Sequence, residues 1–87
     1  MAKQYEITIT RSRHSGETVR KTDPMTVEEL VKYFSYTLEK GASWQHEKGN
    51  KKINRNPKTI ASLITNINNA ENNAAANGWA NTHYSLS

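Results

Sequence analysis

The chain has 87 residues, of which 34% are hydrophobic, enough for one domain with a single thin core and too few for two. It has no cysteine, which excludes a disulfide framework and a thiolate zinc site and fits a reducing compartment. Twelve Lys and Arg against eight Asp and Glu give a net charge of +4 and an isoelectric point near 9.5, a balance that favours polyanionic partners. No apolar run approaches membrane-spanning length and MAKQYEITIT lacks the apolar stretch of a signal peptide, so the expected location is the cytoplasm, with no membrane partner. The low apolar fraction makes self-association a route to further burial, so a homo-oligomer is among the expected states.

Tyr5, Ile7 and Ile9 alternate with Glu6, Thr8 and Thr10, the period-two pattern of a half-buried strand. Ser15-Gly16 suits a turn that needs positive φ, and Thr18 to Thr22 returns as a more polar edge strand with Val19 toward the core. Asp23-Pro24 breaks the chain. Thr26 and Glu29 then form a T-x-x-E capping box, with Met25 and Leu30 spaced as a hydrophobic staple. Val27, Leu30, Val31, Phe34 and Leu38 recur at helical spacing, which predicts a helix over 27–40 with Gly41 as its left-handed C-terminal residue.

Residues 42–56 have little periodicity and read as an exposed loop. Asn56 can cap, and Pro57 can begin, a second helix whose apolar face is Ile60, Leu63, Ile64, Ile67, Ala70 and Ala74, running to about Asn77 with Gly78 as its stop. Tyr84 and Leu86 alternate with Ser85 and Ser87 in a last strand over 82–87 that can join the hairpin. The order is ββααβ. The expected fold is α+β, a single domain over 1–87, with a small antiparallel sheet (hairpin plus C-terminal strand) packed against two helices.

Five cations and four Asn or Gly residues crowd the run from Lys48 to Lys58, KGNKKINRNPK. A basic loop that feeds a helix start meets free backbone N–H groups and a partial positive charge, which makes it a candidate anion site. Lys51, Lys52, Arg55 and Lys58 are the expected phosphate ligands. Trp44 and His46, a few residues earlier, could stack on a base, although Trp44 also fits a core tryptophan. Arg11, Arg13, Arg20 and Lys21 make a second basic group on the hairpin, with Glu28, Glu29 and Glu39 between the two.

All ten asparagines fall between Asn50 and Asn81, and six lie in the second predicted helix, where this residue is a poor helix former. Ser62, Asn66, Asn69, Asn73 and Asn77 share one stripe beside the apolar face, either a polar recognition surface or a solvated one. Asn54 and Asn66 are the expected polar contacts to a ligand. Glu71 falls inside the apolar arc, so either the helix frays before it or it pairs with a basic side chain. Trp79 is expected near the sheet, and Tyr33 and Tyr36 beside the buried stripe of the first helix, lining a groove or an oligomer contact.

His14, His46 and His83 lack metal-ligand spacing, and no nucleophile elbow, Walker A or paired-carboxylate motif is present, so neither a metal, a cofactor nor catalysis is expected. At NPKTIASLITNINNAENNAAANG, with EKGNKKIN before it, the chain resembles small accessory proteins encoded by tailed phages. The resemblance implies a host-directed role in the bacterial cytoplasm, such as blocking a defence complex or sequestering its nucleotide signal, and assigns no site residues. The expected function is a non-enzymatic binding protein that grips a nucleotide or nucleic acid. Its rivals are a protein-binding inhibitor of a host complex and a structural phage subunit.

Overall fold

A computed structural model describes residues 3–13, 15–74 and 81–87. Three strands, β1 (Ile7–Arg13), β2 (Gly16–Lys21) and β3 (Asn81–Leu86), form an antiparallel sheet in the order β2-β1-β3. Among the described residues three helices, α1 (Val27–Tyr33), α2 (Ser35–Ser43) and α3 (Ile60–Ala74), complete an α+β fold. The molecule measures 41 × 31 × 17 Å. A thickness of 17 Å holds one sheet and one layer of helices, so the sheet is covered on a single face. No helix among the described residues is long and apolar enough to cross a membrane.

Alternation along β1 sends Ile7 and Ile9 into the core, where Tyr84 of β3 joins them, while Thr8 and Thr10 face outward. Gly16 closes the hairpin at φ 134, a conformation open to glycine. Val19 is opposite Thr10, not Ile9, and is 60% exposed. The expectation that it faces the core is therefore corrected, because the register of β2 on β1 sets Arg20 opposite Ile9 and Thr18 opposite Arg11, which sends those two to the helix-facing side instead.

Thr26 caps α1 with the full capping box: its Oγ1 accepts from Glu29 N–H at 3.2 Å and the Glu29 carboxylate accepts from Thr26 N–H at 2.9 Å. The Thr26 N–H, and after it the Thr26 hydroxyl, stabilise the charged carboxylate and hold the Glu29 carboxyl below its ordinary range. The helix predicted over 27–40 is two helices. Phe34, at φ −97 and ψ 14, interrupts it, and α2 then runs on to Ser43. Leu30, Phe34 and Leu38 keep their four-residue spacing across the break and all are buried, so the apolar pattern carries no trace of it.

Gly41 is no C-terminal left-handed residue. It lies inside α2 without positive φ, and a Cβ built on it would overlap Cα and Cβ of Ala70 and come within 2.9 Å of the Ala70 carbonyl carbon. The glycine lets α2 and α3 touch backbone to backbone. The expected cap at Asn56 and first turn at Pro57 are corrected likewise. α3 begins at Ile60, and Thr59 caps it, its Oγ1 accepting from Ser62 N–H at 3.1 Å. Asn56 N–H is instead bound to the Asn54 side chain at 2.9 Å, and Pro57 is buried. The α3 stop expected at Asn77 and Gly78, and the residues His14 and Trp79, lie outside the described residues.

The segment between α2 and α3 is pinned rather than loose. Ile53 enters the core at 6% exposure. Buried Asn73 accepts from Lys51 N–H at 3.0 Å and donates to Lys51 O at 2.7 Å and Gly41 O at 3.2 Å. Asn66 accepts from Asn54 N–H at 2.8 Å and donates to Ser62 O at 2.8 Å. Gln45 accepts from Ile53 N–H at 3.0 Å. Amides suit this work, since each offers a donor and an acceptor and can imitate a backbone partner.

Candidate functional site

The sequence-predicted cations do not form one cluster. Lys52, Asn54, Arg55 and Asn66 border a shared cleft with Gln45 and Ile53. Arg55 is within 3.5 Å of Glu39, both exposed. Lys58 borders a different recess, with Val31 and Lys32 of α1. Lys51 holds its backbone against Asn73 and leaves its side chain exposed. Trp44 ends α2, is 46% exposed and therefore is no core tryptophan; neither it nor exposed His46 lines the cleft. The helix start that gave the run its interest begins two residues beyond Lys58 and already has one N–H taken by Thr59.

A groove of about 330 Å³ lies elsewhere, between the helix-facing side of the hairpin and α2. Its floor is Tyr84, packed edge-on against Phe34 with ring centres 5.2 Å apart. The Tyr84 hydroxyl donates to Glu71 at 3.0 Å, and Lys40 reaches the same carboxylate oxygen at 3.7 Å. Burial and the neighbouring Glu71 charge push the Tyr84 hydroxyl well above the ordinary tyrosine range, so it stays a donor. Of the two readings of Glu71, pairing is the one observed: α3 continues to Ala74 and the carboxylate, placed in the apolar arc, has two partners.

The walls are cationic. Arg11 faces Thr18 across the hairpin and Ile9 faces Arg20, so the two arginines are diagonal neighbours on one face. Arg11 Nε–H donates to Thr82 Oγ1 at 3.3 Å, which leaves the other guanidinium donors directed elsewhere. Among the described residues neither Arg11 nor Arg20 is within 4.0 Å of a carboxylate. On the opposite wall stand Lys40 and Tyr36, the ammonium 5.6 Å from the ring centre and the ring 76% exposed. The sequence showed the hairpin cations but not their juxtaposition with α2, because that depends on the register of β1 with β2 and on where α2 crosses. The groove and the loop cleft share no lining residue.

Among the described residues no three His, Asp or Glu side chains converge as metal ligands do. Comparison with protein-family models, with curated proteins and with solved structures gives no match.

Proposed function

We propose that the chain is a non-enzymatic binding protein for a phosphate-bearing ligand, a nucleotide or nucleic acid, whose phosphate is taken by Arg11 and Arg20 in the groove. The observation that carries the reading is the diagonal pair of arginines with no carboxylate in reach among the described residues, beside the exposed ring of Tyr36. Guanidinium forks match phosphate oxygens in pairs, and their mutual repulsion is relieved by a bound anion. Tyr36 supplies a face for a base, and the hydroxyls of Thr18, Thr37 and Thr82 supply neutral contacts. A volume near 330 Å³ is at the small end for a ligand site, fit for a mononucleotide or one nucleotide of a strand. Glu71 is held by Tyr84 and Lys40, which supports holding a ligand over attacking it.

The loop cleft is the second basic strip. Its Arg55–Glu39 pair is exposed and worth less than about 1 kcal/mol, so a ligand could displace it, but among the described residues the cleft offers one cation without a carboxylate partner, Lys52, against two in the groove. In the setting that the phage-like segments imply, the ligand is a host nucleotide signal or nucleic acid, met in the bacterial cytoplasm. One observation favours the rival reading, a protein-binding inhibitor: Tyr33, Tyr36 and Trp44 are 50%, 76% and 46% exposed, and aromatic side chains of this kind anchor protein interfaces.

Thermal stabilisation by inorganic phosphate, linear and cyclic nucleotides and short oligonucleotides tests the proposal. Wild type and the Lys51→Ala/Lys52→Ala/Arg55→Ala variant should both be stabilised, and Arg11→Gln/Arg20→Gln should not. Stabilisation lost only in the loop variant moves the site to the cleft. If none of the ligands acts and a nuclease-treated lysate yields a stoichiometric protein partner, the inhibitor reading replaces this one.

A further inference from the structure

The two edges of the sheet are treated differently. On β3 the Asn68 side chain occupies the outward N–H and C=O of Tyr84. Among the described residues no helix packs on β2, and all six residues of the strand are exposed. Thr22 N–H donates to Ile7 O at 3.0 Å, so residues of that parity, Arg20 and Thr18, turn their polar backbone groups toward β1. Those of Glu17, Val19 and Lys21 therefore point away from the sheet, unpaired by any strand among the described residues. Such an edge is a template for another strand.

We propose that β2 pairs antiparallel with β2 of a second copy, about a two-fold axis at Val19, to give a continuous six-stranded sheet. In this register Val19 lies opposite Val19, and Glu17 of each copy lies opposite Lys21 of the other. All three pairs fall at outward-pointing backbone positions, so they exchange on the order of six hydrogen bonds. Their side chains share the outer face, where exposed Val19 gains an apolar neighbour and each end gains an opposite charge. A register shifted by two residues sets Val19 against Glu17 or Lys21 and loses both charge pairs. The sequence of β2, GETVRK, thus reads as self-complementary in one register. On the helix-facing side each Arg20 meets Thr18 of the other copy. The two Arg20 side chains are then diagonal neighbours, and their repulsion is the main term opposing association. Five residues of strand bury far less than a standard interface, so the dimer is weak and reversible.

Sedimentation velocity across a concentration series tests the pairing, with circular dichroism to confirm that each variant keeps its fold. Wild type should shift from monomer to dimer as concentration rises. Glu17→Lys and Lys21→Glu, each placing like charges opposite one another, should be monomeric alone and should form a mixed dimer when combined, because the mixture restores opposite charges at both ends. The double variant Glu17→Lys/Lys21→Glu should dimerise with itself. A wild type that stays monomeric at every concentration overturns the proposal, as does a dimer that survives Glu17→Lys unchanged.

Discussion

Asn68 and Tyr84 bond to each other twice through the Tyr84 backbone: the Asn68 amide accepts from Tyr84 N–H at 2.8 Å and donates to Tyr84 O at 2.9 Å. A helix side chain thereby takes the place of a neighbouring strand and closes one edge of the sheet. Asn68→Ala should lower stability by roughly 2 kcal/mol, since it leaves two part-buried backbone groups without partners. The specific sign is faster hydrogen exchange at the Tyr84 amide, measured beside the Ile9 amide as an internal control. Equal acceleration at both would mean global destabilisation without loss of an edge plug.

Asn73 does the same for the basic segment, tying both backbone groups of Lys51 to α3 and adding Gly41 O. Asn73→Ala removes three hydrogen bonds at a buried site, which should cost about 3 kcal/mol. It should also free the segment locally, so that trypsin cuts after Lys51 and Lys52 much sooner than in wild type under conditions where the rest of the chain stays folded. Unchanged cleavage would show that Ile53 and Gln45 hold the segment without it.

Gly41→Ala forces a methyl group onto the backbone of Ala70. Helix propensity alone favours alanine by up to about 1 kcal/mol, but overpacking at a backbone contact outweighs it, and we expect a net loss of roughly 2 kcal/mol in denaturant unfolding. A stabilised variant would mean that α2 and α3 do not touch backbone to backbone at Gly41.

The raised Tyr84 hydroxyl links stability to alkaline pH. In the unfolded chain this group ionises at about pH 10, whereas in the folded protein burial and Glu71 hold the proton on. Its contribution is therefore fully present below about pH 10 and declines above it, because the unfolded state then binds fewer protons than the folded one. Wild type should lose stability more steeply than Tyr84→Phe as pH rises above about 10. Parallel curves would place the hydroxyl in water.

The fold was largely legible because its strands and helices carry clean periods: Ile7 and Ile9 at spacing two, and Leu63, Ile67 and Ala70 at helical spacing. The break at Phe34 was not, since Leu30 and Leu38 remain in phase across it. Gly41 and Asn56 each fit a common cap, and only the tertiary contacts with Ala70 and Thr59's own bonds decided otherwise. Ile53, one apolar residue in a basic run, gave no period to detect. The asparagines stood out by composition, but whether Asn66, Asn68 and Asn73 face a ligand or the chain's own backbone depends on which segments α3 meets. The groove was least legible, as Arg11, Arg20 and Lys40 come together only through strand register and helix placement.

On the proposed function, Arg11 and Arg20 hold the phosphate of a ligand. The arginine Nε–Hε signals in a nitrogen-15 correlation spectrum, followed while inorganic phosphate and then a binding nucleotide are added, test it most directly. The Arg11 and Arg20 signals should move together and saturate, with affinity falling on the order of tenfold or more for each arginine changed to glutamine. Signals from Arg11 and Arg20 that stay still while Arg55 moves would contradict it.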